Sequence, residues 1–509
     1  MQTINRRRKT PFIFLTIFAI ILGFFGIQFF LKIGLFKIWG ELILDDSLTS
    51  AEKTFLEGLL TDQKLEKNLK ISAKFESEKL SSADALLYEI YVPVTGFYSA
   101  KSTLNFSDTE ALLSEITSVN YESTAEVSSE ETATKLIPIS ALNSTEKLLK
   151  IDENYYLDDF DSGAFFRYLV VESDSEDEKS QFSDLIISNL QTFPEKSTVL
   201  SFAQTGVTAL SRAMQTKLNQ VGDASYFAEK IQDFLSSKDL THISNESSFS
   251  NSASSSNICS SWKMFSAISA IGTDIVELTG NHNNDCGTQA NLDSIAYYDE
   301  QGIMTVGGGE NAEEAAKPLE LSEKNQNITL LAYNYSTGGY TTGSTPGANL
   351  YSEEKAISDI SAAKERGDFI IVDFQYFECY CYPDEGAEMP ACDSPISSSS
   401  YGEYPDQQAL FRKLIDLGAD IVVGVSAHQP QTYELYNGGK IYYGLGNLFF
   451  DQTYWPGTER GIILTHYFWN GKLLQTRFSP TIYDESLQVE LMNEEDSEWF
   501  INRLNAARD

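Results

Sequence analysis

The chain has 509 residues, and its 73 acidic side chains far outnumber its 37 lysines and arginines, which gives a formal net charge of -36. Such a surface repels nucleic acid at long range and favours cations or basic partners, so we predict no nucleic-acid partner. The same charge is typical of a protein that stays soluble in a salty exterior. At about 100–200 residues per domain, the length fits two or three domains.

The N-terminal segment predicts a membrane anchor. A basic run at residues 6–9 precedes an apolar run at residues 11–31, and about 20 apolar residues suffice for a helix to cross the hydrocarbon layer. Basic residues beside a first span stay in the cytoplasm. A cleaved signal peptide would have a shorter apolar core and a small-residue cleavage site. We therefore predict a cytoplasmic stub and single-pass cell-membrane anchor at residues 1–44, with the bulk of the chain extracytoplasmic.

The next part of the chain, residues 45–190, predicts a small α/β spacer domain. Residues 54–69 and 109–116 have helical patterns, and residues 86–93 (LLYEIYVP) are rich in the aromatic and aliphatic residues of a strand. Residues 118–134 predict a loop. The charged stretch 173–180 (SDSEDEKS) has no apolar period and predicts a hinge or surface loop.

From residue 191 to 509, short apolar strands alternate with helices, a pattern typical of α/β folds whose sheets are covered by helices. The predicted strands are 197–202, 274–278, 327–333, 369–374, 420–424, 440–443 and 461–468, and the predicted helices are 226–237, 291–301 and 407–417.

Five cysteines lie in this C-terminal part: Cys259, Cys286, Cys379, Cys381 and Cys392. Outside the cytoplasm they could pair, but the count is odd and sequence does not give the connectivity.

Four histidines are present, namely His242, His282, His428 and His466. The first three follow predicted strands or lie in polar loops, where α/β folds place their sites. His466 lies inside a strand and is predicted to be a hydrogen-bonded core residue.

The turn 277–287 (ELTGNHNNDCG) is the most informative segment. Asn281 and His282 at a strand end could offer an amide oxygen and an imidazole to one cation, and Asp285 could orient the imidazole. Equally, the Asn and Asp of this turn could cap the following helix.

Three further segments, 239–249, 421–431 and 443–452, each read alone as an ordinary polar loop. Their shared placement near strand ends favours one composite site. The polar residues that they contribute are Asn245, Glu246, Ser426, His428, Gln431, Asn447, Asp451 and Gln452.

In this order, the segments resemble the CapA family of capsule or poly-γ-glutamate biosynthesis proteins, over residues 197–483. The family pattern runs GD-x-x-L-x-R, N-L-E, N-N-H-x-x-D-x-G, H-W-G, G-x-H-P-H and S-L-G-N-x-x-F-D. Residues 206–212, 244–246, 280–282 with 285 and 287, and 444–447 with 450 and 451 match the first, second, third and last of these motifs. The turn 307–311 with 315 and 318, and the segment 418–420 leading into 424, also fit the family. The resemblance implies a metallophosphatase-like αββα sandwich at 191–509.

The departures from the family pattern concern the metal ligands. The Asp of the GD motif is Val207 here, the His of H-W-G falls on Gln375, and the first His of G-x-H-P-H falls on Ser426. Metal sites of this kind need about four to six good ligands. The remaining ligands, Glu246, Asn281, His282 and His428, with Asp373, Gln375 or Glu378 nearby, could hold one zinc, manganese or iron ion rather than two.

The resemblance also implies roles for single residues. His282, Asp285, His428 and Arg212 would be the catalytic set, in which Asp285 orients His282 and Arg212 contacts a carboxylate or phosphate of the substrate. The polar cleft would be lined by Asn245, Gln375, Ser426, Gln431 and Asn447.

The sequence therefore leaves two functional hypotheses open. The first is a membrane-anchored protein of surface-polymer synthesis, export or anchoring, with metal-dependent hydrolase or transferase chemistry. The second is a non-catalytic protein whose cleft binds an anionic polymer or cell-wall fragment. The partners implied are the cytoplasmic membrane, that polymer and the membrane subunits of a polymer synthase. A membrane scaffold with an inert domain fits least well, because it would not need polar residues at successive strand ends.

Overall fold

The computed structural model describes residues 40–60, 63–80, 85–118, 128–129, 132–335, 338–376, 406–453 and 457–508. The chain divides into two compact units. The smaller contains the described residues up to Glu76, Leu80–Glu89 and Phe166–Thr192, and the larger contains Ser77–Lys79, Ile90–Phe165 and Phe193–Asp509. Residues 90–165, which we assigned to the spacer domain from the sequence, lie in the larger unit.

Strands and helices alternate along most of the described chain. The strands are β1 (Leu42–Leu44), β2 (Leu69–Glu76), β3 (Ala85–Gly96), β4 (Thr103–Leu104), β5 (Lys135–Pro138), β6 (Glu146–Leu148), β7 (Lys150–Ile151), β8 (Phe165–Ser173), β9 (Leu200–Thr208), β10 (Leu240–Asn245), β11 (Ile275–Glu277), β12 (Met304–Val306), β13 (Gly308–Gly309), β14 (Leu319–Glu323), β15 (Gln326–Asn334), β16 (Gly347–Ala348), β17 (Phe369–Gln375), β18 (Ile421–Gly424), β19 (Tyr433–Tyr436), β20 (Gly439–Tyr442), β21 (Asn447–Phe449), β22 (Arg460–Trp469), β23 (Lys472–Ile482) and β24 (Glu490–Leu491). The α-helices are α1 (Ser50–Leu60), α2 (Phe106–Ser118), α3 (Glu176–Ile187), α4 (Ala213–Val221), α5 (Gln232–Ser236), α6 (Phe265–Ala270), α7 (Thr288–Glu300), α8 (Ala312–Ala315), α9 (Glu353–Arg366), α10 (Gln407–Leu417) and α11 (Glu494–Ala506).

In the smaller unit, β1 runs parallel to β2, and β2 runs antiparallel to β8. Leucines of α1 and β2 and apolar residues of α3 form its core, as Leu56, Leu69 and Phe182 illustrate. Inside the unit, the Arg167 guanidinium donates to both carboxylate oxygens of the buried Glu52. This pairing offsets the cost of burying both charges.

The charged stretch 173–180 is a helix start rather than a loop or hinge. Ser175 caps α3 by accepting a hydrogen bond from the backbone N–H of Glu178, and three acidic residues occupy the first turn. Acidic side chains stabilise the positive end of the helix dipole, so the run that looked aperiodic favours helix formation here. The first predicted helix, 54–69, also differs, because α1 ends at Leu60 and β2 begins at Leu69.

The larger unit is built on two sheets whose central strands are parallel. In the first sheet the order is β12-β11-β10-β9-β22-β23-β24, with β21 beside β9, and in the second it is β14-β15-β17-β18-β20-β19. Strands β9 to β12 are parallel, as are β15, β17, β18 and β20. The carboxyl ends of parallel strands share one edge of a sheet, where α/β folds place their ligands.

Three apolar layers show how the sheets are covered. Side chains of both sheets, such as Phe202 and Ile371, form one core between them. The helices from α4 to α7 pack on the outer face of the first sheet, and α9 and α10 pack on the outer face of the second. The larger unit is therefore a helix–sheet–sheet–helix sandwich, and the predicted mixed α/β class is confirmed.

Two sequence-based assignments in this unit were wrong. The helix predicted at 226–237 is a 3-10 helix, Ala224–Ala228, followed by the short α5. The polar loop predicted at 239–249 contains the buried strand β10. Its polar side chains do not mark a loop, because they find partners in neighbouring strands, as Ser244 does when it donates to Glu277 at 2.7 Å.

The described residues contain no helix long and apolar enough to cross a membrane. Residues 1–39 of the segment predicted as stub and anchor lie outside those residues, so the anchor stays a prediction. Residues 42–44, which we assigned to the same segment, form strand β1. Cys259 and Cys286 form a disulfide with their Cα atoms 5.8 Å apart. The other three cysteines also lie outside the described residues.

Candidate functional site

Polar side chains gather where strands of the sandwich end, and we call this group the strand-end site. It is defined by Asn245, Glu246, Asn281, His282, Gln375, Ser426, His428 and Asn447. A direct contact joins the two sheets at this edge, because the Gln375 side chain at the end of β17 donates to Asn281 Oδ1 at 3.1 Å. The turn after β11 and the end of β17 are therefore brought together as the sequence predicted.

Close backbone approach shapes the site at two glycines. A Cβ atom on Gly280 would lie 2.3 Å from the Cβ of Glu246, and one on Gly206 would lie 2.0 Å from the carbonyl oxygen of Gly446. Neither distance leaves room for a side chain. Gly280 thus lets the turn after β11 lie directly on the end of β10, which holds Glu246 beside Asn281.

The turn 280–287 presents His282 with its ring oriented. His282 Nδ1 lies 2.7 Å from Asp285 Oδ2, and a neutral ring that donates from Nδ1 carries its lone pair on Nε2. Asn283 fixes the turn by donating to the carbonyl oxygens of Leu278 and Gly280 at 2.8 and 2.9 Å. Helix α7 starts after Gly287 without a side-chain cap, so the alternative in which this turn caps the helix does not hold.

His428 is buried and is oriented by an amide. Its Nδ1 lies 2.9 Å from Asn447 Oδ1. The Asn447 amide nitrogen donates to the carbonyl oxygen of Thr458 at 3.0 Å, so the oxygen faces the imidazole and the shared proton sits on Nδ1. The Phe450 ring packs on the imidazole with centroids 4.7 Å apart.

Arg212, predicted to contact substrate, is bound to an internal carboxylate. Its guanidinium donates to both oxygens of Asp451, with Nε 3.0 Å from Oδ1 and 3.3 Å from Oδ2, and lies 4.9 Å from the Phe450 ring centroid. The residue adopts a left-handed backbone with φ of 48°. Asp451 also accepts from the backbone N–H of Ala213 at 2.8 Å. The structure therefore gives Arg212 a role in joining the β9 end to the segment after β21.

Two buried amide side chains of the strand-end site keep an acceptor oxygen that has no hydrogen-bond partner among the described residues. Asn245 donates to the Tyr298 hydroxyl at 2.8 Å and to the carbonyl oxygen of Ser247 at 2.9 Å, but its Oδ1 accepts no hydrogen bond. Gln375 donates to Asn281, and its Oε1 likewise has no donor. A buried unsatisfied acceptor costs about 1–3 kcal/mol, so such atoms are candidate contacts for a ligand that brings N–H groups.

The other two predicted cleft residues are engaged within the protein. The Ser426 hydroxyl accepts from the backbone N–H of Tyr376 at 3.0 Å. Gln431 exchanges hydrogen bonds with Gln407, whose amide also donates to the carbonyl oxygen of Tyr443 at 2.9 Å. These contacts hold the loop after β18 in place.

The metal that the family resemblance implies needs converging ligands. Among the described residues, no three His, Cys, Asp or Glu side chains come together as a group that could hold an ion. Glu246, His282 and His428 therefore do not form a ready metal site with Asn281 in this structure, and Glu378 lies outside the described residues.

A second polar group, which the sequence analysis missed, lies between the two sheets. We call it the inter-sheet cluster, and it consists of Gln204, His242, Glu277, Asp373 and His466. His242 Nε2 lies 3.1 Å from Asp373 Oδ2, and both side chains are fully buried. The Gln204 amide nitrogen donates to Asp373, and its Oε1 accepts from His466 Nε2 at 3.2 Å.

Burial changes the proton affinity of two members of the inter-sheet cluster. Desolvation, reinforced by the nearby Asp373 carboxylate, raises the pKa of Glu277 to about 7. Desolvation, with Lys440 nearby, lowers the pKa of His466 to about 3, so this histidine is neutral at physiological pH. His466 also lies 3.0 Å from the Thr476 hydroxyl, and the prediction of a hydrogen-bonded core histidine is confirmed.

The sandwich coincides with a match to a known family. Residues 201–383 and 398–452 match the model of the bacterial capsule synthesis protein family PGA_cap. The chain carries a CapA-family domain. The capsule biosynthesis protein CapA of Bacillus anthracis is 26% identical over 211 residues, which cover 40% of this chain and 47% of that protein. The poly-γ-glutamate (PGA) biosynthesis protein CapA of Bacillus subtilis (strain 168) is 27% identical over 203 residues, 39% of this chain and 48% of that protein.

A more distant relative is a probable polyglutamine synthesis accessory protein of Mycobacterium tuberculosis, which is 24% identical over 261 residues and covers 47% of this chain and 63% of that protein. The chain thus spans about half the length of the CapA proteins it matches. Among solved structures, an NAD nucleotidase of Haemophilus influenzae aligns with 60% of this chain and 56% of its own at 10% identity and a TM-score of 0.30. A likeness this slight supports no assignment.

Proposed function

We propose that this chain is a membrane-anchored extracytoplasmic protein of capsule or poly-γ-glutamate biosynthesis that binds the polymer at the strand-end site without cleaving it. The CapA-family domain gives the biological process. The observation that carries the binding role is the pair of buried acceptors, Asn245 Oδ1 and Gln375 Oε1, which have no donor among the residues that the structure describes. A polymer joined by amide bonds offers one N–H per unit to such acceptors.

The replacements at the family's ligand positions agree with binding rather than metal chemistry. Val207 cannot ligate a cation, and Gln375 and Ser426 are neutral groups that hydrogen-bond. An amide-rich cleft recognises a chain through directed hydrogen bonds. Because the chain's net charge is -36, long-range repulsion of an anionic polymer makes short-range contacts of this kind more important.

The location outside the cytoplasm rests on two observations. The N-terminal sequence has the basic flank and apolar length of a single-pass anchor. The disulfide between Cys259 and Cys286 belongs to an oxidising compartment, since cytoplasmic thiols are kept reduced. An anchored protein of this kind works next to the membrane subunits that release the growing polymer.

A second candidate function is a metal-dependent hydrolase or transferase. It is favoured by the two imidazoles, His282 and His428, each of which is oriented through Nδ1 by a neighbouring oxygen, as ligating histidines are. When bound, a divalent ion would supply Lewis-acid chemistry at this edge. The chain's own contribution would be to orient the two rings and to hold the polymer through Asn245 and Gln375.

Binding of a γ-linked glutamate oligomer to the full chain tests the proposal. We expect saturable binding by calorimetry that Asn245→Ala or Gln375→Ala weakens about tenfold, the value of one buried hydrogen bond. Gln220→Ala, on an exposed position after the start of α4, is the matched control and should bind like the parent chain. Equal binding by all four proteins would contradict the proposal.

Incubation of the oligomer with the parent chain and zinc, manganese or iron separates the two functions. Under the binding proposal the oligomer stays intact. Metal-dependent cleavage that His282→Ala abolishes would instead establish the second candidate.

A further inference from the structure

A cavity of about 400 Å³ lies in the larger unit and shares no residue with the strand-end site. Residues of β23 form one wall, and the segment between β3 and β8, which lies outside the family match, forms another. Gln475 ties the two walls together, because it accepts from the backbone N–H of Leu148 at 3.1 Å and donates to the carbonyl oxygen of Asn143 at 2.8 Å. A volume of this size accommodates a small molecule or a short stretch of chain.

The lining of the cavity is much less acidic than the chain as a whole. Lys147, Lys150 and Arg477 line it, against only Glu153 and Glu494, whereas the whole chain has 37 basic and 73 acidic side chains. Two lysines in a cavity of so acidic a protein form a local site of positive charge that can attract an anion.

Two of the cations are available to a ligand. In the part of the chain that the structure describes, neither Lys147 nor Lys150 forms an ion pair, and Lys147 Nζ donates to the carbonyl oxygens of Ser99 and Ala100 at 2.9 and 3.5 Å. An ammonium group has three N–H donors, so Lys147 retains one. Arg477 is different, because Asp158 already pairs with its guanidinium.

A third polar group points to a ligand independently of the charges. Ser479 lines the cavity, and only 6% of its surface is exposed. Its hydroxyl has no hydrogen-bond partner among the described residues. Tyr155 and Tyr433 add an aromatic surface. The Tyr155 ring is held by Arg477, whose guanidinium carbon lies 4.7 Å from the ring centroid.

We propose that this cavity binds a carboxylate-bearing ligand with an apolar stem. Lys147 and Lys150 would neutralise the carboxylate, the Ser479 hydroxyl would donate to it, and the stem would pack on Tyr155 and Tyr433. The inference stands apart from the proposed function, since it uses none of the residues of the strand-end site.

Calorimetry on the full chain with glutarate, a five-carbon dicarboxylate, tests the proposal. We expect saturable binding that Lys147→Gln and Lys150→Gln each weaken about tenfold, as loss of one charge-assisted hydrogen bond would. Lys472→Gln is the control, because Lys472 is exposed at the start of β23, the strand that forms one wall of the cavity. This change should leave binding unchanged. Lys147→Arg keeps the charge and should retain most of the affinity, which separates loss of the site from loss of the fold.

Proton uptake gives a second readout that a merely structural lysine would not produce. Burial lowers the pKa of Lys147 to about 8, and a bound carboxylate would raise it again. At pH 8, binding measured in buffers of different ionisation enthalpy should therefore show net proton uptake that Lys147→Gln abolishes. Three results would overturn the proposal. The first is the absence of saturable glutarate binding, and the second is an equal affinity of the parent chain and the Lys147→Gln and Lys150→Gln variants. The third is tighter binding of inorganic phosphate than of glutarate.

Discussion

Asn447 Oδ1 accepts a hydrogen bond from His428 Nδ1 across 2.9 Å, and this contact selects the tautomer whose Nε2 carries the lone pair. Both side chains are buried. The contact joins the loop after β18 in the second sheet to the start of β21 beside β9 in the first. It therefore orients the imidazole and also holds the two sheets together at the strand-end site.

Replacing Asn447 by Leu should destabilise the fold. The change removes the acceptor of the buried His428 N–H, and an unsatisfied buried group costs about 1–3 kcal/mol. The carbonyl oxygen of Thr458 loses one of two donors and keeps the Tyr483 hydroxyl at 2.9 Å. Urea unfolding would measure the loss. Asn219→Leu, at an exposed position of α4, should change the free energy of unfolding by less than about 0.5 kcal/mol. Equal stability of the two variants would show that the contact does not support the sheets.

The ion pair between Arg212 and Asp451 should be a stabilising link. Side-chain exposure is 25% for Arg212 and 5% for Asp451, so Arg212→Ala leaves a nearly buried carboxylate unpaired and should cost about 3 kcal/mol. Arg212→Lys should recover only part of this, because an ammonium cannot donate to both carboxylate oxygens in one plane.

A double-mutant cycle with Asp451→Asn checks the Arg212 prediction. A coupling free energy above about 1 kcal/mol is expected for residues in direct contact. A coupling free energy near zero would contradict this prediction. If Arg212→Ala also lost polymer binding, the result would favour the contact with substrate that the sequence predicted for Arg212.

The disulfide should stabilise the turn that carries His282. It closes a loop with a sequence separation of 27 residues, and loops of this length gain about 3–4 kcal/mol from the crosslink. The double variant Cys259→Ser/Cys286→Ser should therefore unfold at a lower temperature than the parent chain. In reductant the two proteins should converge, and a difference that persists there would assign the effect to serine substitution itself.

Stability should fall as the pH rises from about 4.5 to about 7 because of Glu277. Burial raises the pKa of this carboxyl from 4.5 to about 7, so in this window the folded state binds more protons than the unfolded state. The stabilising contribution is complete below pH 4.5 and is lost as the pH passes 7.

Glu277→Gln should remove that part of the pH dependence. The amide is always neutral, and the Ser244 hydroxyl can turn to accept from it. Urea unfolding at pH 5 and pH 7.5 should show that the variant gains stability relative to the parent at the higher pH. Glu300→Gln, an exposed carboxyl, should follow the parent, and an unchanged pH profile in Glu277→Gln would contradict the shift.

Much of the larger unit could be predicted from its sequence. The strand predicted at 369–374 is Phe369–Gln375 in the structure, and the helix predicted at 407–417 is Gln407–Leu417. Both are signalled by local patterns, namely an apolar run and an apolar face of helical period. The turn 280–287 was equally visible, because a glycine and polar residues follow a buried strand.

Only the tertiary structure decided how the polar residues pair. We predicted a loop where strand β10 lies, because His242 and Ser244 are polar. Their partners are Asp373 and Glu277, and these belong to strands that the sequence does not show to be neighbours. The prediction of a loop at 173–180 was wrong for a local reason. The acidic side chains there stabilise the start of a helix, and hydrophobic periodicity cannot detect such a start.

The sequence by itself therefore determined the α/β alternation, the CapA-family motifs and the places where polar residues end strands. The structure decided that Arg212 binds Asp451, 239 residues away, and that His428 is oriented by Asn447. The physical reason is that strand patterns depend on neighbouring residues along the chain. Side-chain partnerships depend on which strand ends meet across two sheets, and that is set by packing of the whole sandwich.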